Sequence, residues 1–174
     1  RKARMDSRTR ERLPVLPVLV EAVDRWRRES QQLLEAGQQT SPGKQFIAAG
    51  RTLTRIERPT AAADNVWVRN PDTGEPWLLN RDEEHAFWAW AVIEVFRHTG
   101  VRVEELLELS HHSLIQYRLP STGELVPLLQ IAPSKTDTER LLVVSPELAD
   151  VLSMVIRRVR GPDGTIPLVC ARDS

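Results

Sequence analysis

Apolar positions recur at three- and four-residue steps from Leu13 onward. Leu16, Leu19, Val20, Val23, Trp26, Leu33 and Leu34 mark one face, which predicts a helix with a buried stripe. Pro14 and Pro17 suit its first turn, and Gly37 its stop. Residues 81–98 show another pattern. Phe87, Trp88, Trp90, Val92, Ile93, Val95 and Phe96 leave almost no polar side, so this helix is expected to run through the core. Asn80 reads as its cap, with Glu83 three residues on. Gly100 ends that helix, and the next begins at about Arg102.

Between these helices, residues 37–80 are rich in turn chemistry: Thr40-Ser41-Pro42-Gly43, Arg58-Pro59-Thr60 and Asn70-Pro71-Asp72-Thr73-Gly74. They read as an insertion or long loop region, with one small hairpin, Val66–Arg69 against Trp77–Leu79, around the last of these turns. After Leu109, the polar run Ser110–Ser113 breaks the helical pattern. Leu114–Arg118, Leu125–Ile131 and Arg140–Val144 follow as three strand segments, and Pro127 suggests an edge or a bulge. Ser145-Pro146-Glu147 is a helix start, with a cap, a proline in the first turn and an acid near the positive end of the dipole. The expected fold class is mainly α with a small three-stranded antiparallel sheet.

Composition narrows the class. No apolar run reaches the ~18 residues of a membrane span. One cysteine, Cys170, allows no intrachain disulfide and suits a reducing, cytoplasmic setting. Four histidines, with that one cysteine, do not make a structural metal site, and no cofactor motif occurs. Basic and acidic residues balance at 24 each, which argues against a simple electrostatic binder of nucleic acid. The distribution is uneven, however. Residues 1–60 hold 13 basic and 7 acidic side chains, whereas 61–112 hold 4 and 10, so a basic face can exist without net charge. Residues 1–12 read as a mobile basic terminus. Arg25, Arg27 and Arg28 fall mostly off the apolar stripe and read as a solvated helix face, with contact to a phosphate backbone as the alternative.

Two cations stand out in context. Arg102 begins a helix in Thr99-Gly100-Val101-Arg102-Val103-Glu104-Glu105-Leu106, with Glu105 one turn on to orient it. Lys135 lies in Ser134-Lys135-Thr136, between the second and third strand segments. A planar, permanently charged guanidinium can bind two phosphate oxygens at once. A lysine can give up its proton, which suits a general acid. Each alone has a plainer reading: Arg102 as a surface arginine paired with Glu104 or Glu105, Lys135 as a solvated loop lysine.

Both motifs, in this order among these elements, resemble the catalytic domain of the tyrosine recombinases, the phage integrase family. The Thr-Gly-x-Arg-x-x-Glu-Leu segment of that family matches residues 99–106 at every fixed position. Its Ser-Lys-Thr hairpin, followed by a basic and apolar strand and a proline-started helix, matches residues 134–146. The resemblance covers about residues 81–160, and makes 13–174 part of a catalytic domain. It implies that Arg102 and Lys135 are catalytic, with Glu105 supporting. It implies double-stranded DNA as the partner, with His111, His112 and Arg140 near it, and a homo-oligomer assembled on DNA. Chemistry would run through a 3′-phosphotyrosyl link, with no metal or ATP.

The departures are equally specific. Where the family often reads Leu-x-Trp-x-Asp-Ile, this chain reads Leu109-Ser110-His111-His112-Ser113-Leu114. After Lys135 these residues hold no His-x-x-Arg and no tyrosine, and Tyr117 precedes the lysine. The chain therefore reads as a truncated front part of the domain, inactive alone. The alternative is a non-catalytic DNA-binding or protein-interaction module on the same fold.

Overall fold

A computed structural model describes residues 15–58, 64–132 and 138–167. The chain divides into two compact units, Arg1–Trp90 and Ala91–Ser174. In order, the elements are α1 (Val15–Gln39), β1 (Gln45–Ala48), β2 (Arg51–Ile56), β3 (Trp67–Arg69), β4 (Pro76–Leu78), α2 (Leu79–Thr99) and α3 (Val103–Leu107). A 3₁₀ turn (His111–Ser113), β5 (Leu114–Arg118), β6 (Leu125–Ile131), β7 (Arg140–Val143) and α4 (Pro146–Val159) complete them.

The first unit holds what the sequence pattern concealed. Within residues 37–80, expected as an insertion or long loop region, the strands β1 to β4 form a four-stranded antiparallel sheet in the order β1-β2-β3-β4. The expectation of a mainly α chain with one small sheet is thus corrected to two small sheets. The Trp67–Trp77 hairpin is present, with Val68 opposite Trp77 and Trp67 opposite Leu78. The β1–β2 hairpin is not legible in the sequence because its strands are short, and its turn at Ala49-Gly50 carries no proline or asparagine. Both turn residues have positive φ, 46° and 70°, the left-handed pair that a tight hairpin requires.

Burial in this unit centres on Leu33, Leu53, Val66, Val68 and Leu79, with Leu34, Phe46 and Trp77 packed around them. Each fully buried aliphatic of this size contributes about 1.5–3 kcal/mol. The buried positions of α1 are Val23, Ser30, Leu33 and Gly37. Its N-terminal half does not follow the expected stripe, since Leu16, Leu19 and Trp26 are exposed. Periodicity marks an apolar face, but not whether anything covers it.

Three local expectations are also corrected. Gly37 lies inside α1, where its missing side chain admits Val66 and Leu79. The helix end is held instead by Arg55 of β2, whose Nη1 donates to the carbonyls of Gly37, Gln38 and Thr40. Asn80 lies within the first turn of α2 rather than capping it. Its Oδ1 accepts from the Val66 N–H at 2.7 Å and its Nδ2 donates to the Asp64 carbonyl at 3.2 Å, tying the helix to the segment that leads into β3. Arg27 is not solvated. It lies 4.4 Å over the Trp90 ring and pairs with Asp24 at 3.2 Å. Close by in the chain, Ser30 Oγ donates to Asp82 at 2.8 Å.

The second unit contains the expected sheet, antiparallel in the order β5-β6-β7. Leu129 and Ile131 on β6 are its buried residues. Pro127 sits in this central strand, not at an edge. It stands at the margin of the ladder, where its carbonyl accepts from the Val144 N–H at 3.0 Å. The return bond is the one that proline has no hydrogen to give. Ser145 caps α4 by accepting from the Leu148 N–H at 3.2 Å. Glu147, in the same turn, is held below the usual carboxylate range, by its backbone and Ser145 hydrogen bonds first and then by the charges of His98 and Arg97.

Candidate functional site

The site is built where α2 stops. Thr99 Oγ1 donates back to the Val95 carbonyl at 2.6 Å and accepts from the Val101 N–H at 3.3 Å. Gly100 takes φ of 62°, a left-handed conformation that ends the helix at low steric cost, and its N–H donates to the Phe96 carbonyl at 2.9 Å. Val101 is buried, and Arg102 then turns extended, with φ −78° and ψ 159°, as the N-cap of α3. The Leu106 N–H reaches the Arg102 carbonyl at 2.9 Å, closing the first turn.

Glu105 ties this helix start to the second sheet. It is 2% exposed, and its Oε2 accepts from the Arg102 main-chain N–H at 2.8 Å. That is the helix-capping half of the motif, with a glutamate at the third helical position reaching back to the cap. The same oxygen accepts from Arg140 Nη2 at 2.7 Å. Arg102 Nη1 stands 3.8 Å from Oε1, and the Arg102 side chain is 58% exposed. A buried carboxylate costs several kcal/mol in desolvation unless it is paired and hydrogen-bonded, and here both conditions hold. Three residues singled out in the sequence, Arg102, Glu105 and Arg140, thus meet at one carboxylate, although Arg140 is 35 residues from Glu105.

The remaining expected residues are placed less closely. Arg140 opens β7 opposite Ile131, which ends β6. Lys135 belongs to the connection between those strands, and residues 133–137 lie outside the described residues. His111 and His112 occupy the 3₁₀ turn with ring centroids 3.9 Å apart, His111 half-buried and His112 exposed. Ser113 fastens that turn, its hydroxyl accepting from the Ser110 N–H at 3.2 Å. Tyr117 is exposed on β5, paired with Val126.

Sequence reasoning missed a second buried acid. Glu94 is 6% exposed and pairs with Arg97 at 2.6 Å and His98 at 3.4 Å. The signal was present in the three- and four-residue spacing along α2, but the surrounding aromatics concealed it. The first unit also holds an open groove of about 700 Å³ beside β2 and the β3–β4 turn, where Arg51 lies 5.5 Å over the Trp77 ring. None of the residues singled out in the sequence as catalytic or DNA-binding lines it.

Among the described residues, no group of three or more His, Cys, Asp or Glu side chains is placed to hold a metal ion, and no helix is long and apolar enough to cross a membrane. No family model, no curated protein and no solved structure matches this chain.

Proposed function

We propose that this chain carries the front part of a tyrosine-recombinase-like catalytic domain, with Arg102 as a phosphate-binding cation and Lys135 as the general acid. One observation carries the reading: Arg102 is held at a helix start by a buried glutamate, with its side chain largely exposed. A guanidinium at such a position can stabilise charge on a phosphodiester. The element order also supports it, since Lys135 falls in the sequence between β6 and β7, the strand that Arg140 anchors on Glu105.

In this reading the partner is double-stranded DNA, bound by a homo-oligomer in the cytoplasm, and no cofactor takes part. Arg102 neutralises the non-bridging oxygens of the scissile phosphate, and Lys135 protonates the departing 5′ oxygen. A tyrosine outside residues 1–174 attacks the phosphorus, forms the 3′-phosphotyrosyl bond and releases that 5′ oxygen. These 174 residues alone therefore form no covalent adduct.

Two experiments test this. Incubation of the chain with nicked suicide duplexes is expected to trap nothing, and an adduct at Tyr117 would overturn the assignment. In the parent enzyme, Lys135→Ala is expected to slow cleavage of a normal substrate and to be rescued by a 5′-thio leaving group, which needs no proton. Equal slowing on both substrates would remove Lys135 from the general-acid role.

A protein-interaction module on the same fold is the second reading. Ile115 and Tyr117 of β5, Val126 and Leu128 of β6, and Leu141 and Val143 of β7 share one sheet face by strand register. Tyr117, Leu141 and Val143 are 48%, 54% and 71% exposed on it. Absence of any salt-dependent affinity for duplex DNA would favour this second reading.

A further inference from the structure

Alternation and register sort the first sheet into two faces. One face carries Phe46, Leu53, Val68 and Trp77 into the core. On the other, Ile47 pairs with Thr52, Thr54 with Arg69, and Trp67 with Ile56 and Leu78. Ile47, Thr52 and Arg69 are exposed there, and Thr54 is half-buried. Arg58 joins this face from just past the end of β2, its guanidinium 4.1 Å over the Trp67 ring.

The charge on this outer face has one sign. None of its strand residues is acidic. The acids of the β3–β4 turn, Asp72 and Glu75, line the groove with Arg51 and Trp77, which register puts on the core side. Among the described residues, neither Arg58 nor Arg69 makes an ion pair. Stacking on Trp67 fixes the plane of the Arg58 guanidinium and leaves its N–H edge to donate. It also occupies the ring, which favours contact with a backbone over stacking by a base. At most about 13 Å of extended chain separates Arg58 from Thr54, the neighbour of Arg69. That is of the order of a groove width in B-form DNA.

We infer that the outer face of the first sheet is a contact surface for the sugar–phosphate backbone of duplex DNA, with Arg58 and Arg69 as its cations and Thr52 and Thr54 as hydroxyl donors. Arginine and threonine are among the side chains that position a protein on phosphates without reading sequence. The inference rests on the reading of duplex DNA as the partner. It gives a task to β1–β4, which precede the segment resembling the recombinases.

The test is titration of the 174-residue chain with a short labelled duplex over a range of salt, with each variant checked for folding by circular dichroism and thermal melting. R58Q/R69Q is expected to weaken binding at low salt about tenfold, and to lower the slope of log affinity against log salt by about two. R157Q/R160Q removes the same charge from exposed positions at the end of α4 and is expected to keep the parent slope.

If the parent chain shows no salt-dependent affinity for duplex DNA, the reading of the partner falls first and the inference falls with it. If the parent binds and R58Q/R69Q keeps its slope, the DNA reading stands and the inference fails. If R157Q/R160Q loses as much as R58Q/R69Q, net charge alone is at work and the inference fails again. Should R58Q not fold, T52E/R69Q replaces the first variant, since both positions are exposed. It puts a carboxylate on the face and removes a cation, so a loss of about tenfold is expected. Parent-like binding by a folded T52E/R69Q would overturn the proposal.

Discussion

A β-carbon on Gly37 would stand 2.7 Å from Cγ1 of Val66, closer than real side chains approach one another. Leu79 Cδ1 would be the next neighbour, at 3.1 Å. Val66 and Leu79 are each about 1% exposed, and a β-branched valine has few rotamers to yield. Helix α1 therefore sits this close to Val66 and Leu79 because residue 37 has no side chain.

Gly37→Ala is expected to destabilise the first unit. Overpacking costs about 1–3 kcal/mol, and the better helix propensity of alanine returns about 1 kcal/mol. The expected net loss is on the order of 1 kcal/mol in urea unfolding. A more stable variant would show that Val66 moves aside freely.

Arg55 makes a second prediction about α1. Its guanidinium takes three carbonyls at the helix end, including that of Thr40 at 3.0 Å. Arg55→Met keeps much of the stem and removes the donors, so a loss of about 1–2 kcal/mol is expected. Hydrogen exchange should accelerate at residues 37–43 before it does so in β3.

In the second unit, Ser145→Ala removes the cap of α4 and is expected to cost about 1 kcal/mol. Ser145→Asp should recover most of it, since an aspartate accepts the same Leu148 N–H and suits the helix dipole. Equal melting temperatures for all three proteins would show that the cap contributes nothing.

Acid should weaken the same helix start. The Glu147 carboxyl is held low in the folded chain, so its stabilising contribution is present above its unfolded pKa and is lost as pH falls through the lower folded value. Asp163, held low by Thr165 hydrogen bonds, acts in the same direction. Stability is therefore expected to decline as pH drops below roughly 4. E147Q should flatten part of that decline in thermal melts, and an unchanged slope would remove Glu147 from the acid response.

Glu105→Ala tests the site as a structural joint. It takes the acceptor from the Arg102 N–H and the partner from Arg140, so a loss of about 2–3 kcal/mol is expected. Glu105→Gln keeps an acceptor for both donors and should lose less. The reverse order in chemical unfolding would mean that the charge at Glu105 matters more than its hydrogen bonds.

What the sequence determined by itself was local. A threonine and a glycine after an apolar run end α2, because the hydroxyl and the left-handed backbone are supplied by those two residues alone. Ser145-Pro146 starts α4 for the same reason. The three strand segments of the second sheet were legible because their turns and alternation lie within a few residues. The sequence also put Arg102 and Glu105 one turn apart, so their proximity was fixed before any packing.

Partners far apart along the chain were decided only by the tertiary structure. Strands as short as β1 and β2 carry little periodic signal, so the four-stranded sheet over residues 45–78 emerges only from pairing across the chain. Gly37 looked like a helix stop because a glycine's backbone freedom is local, but its use here is to admit Val66, 29 positions on. Arg140 is expected near DNA from the sequence resemblance, and burial of Glu105 gives it a partner 35 residues away. Desolvation decides which charge a buried carboxylate must keep, and it arises only when separate segments close over the same group.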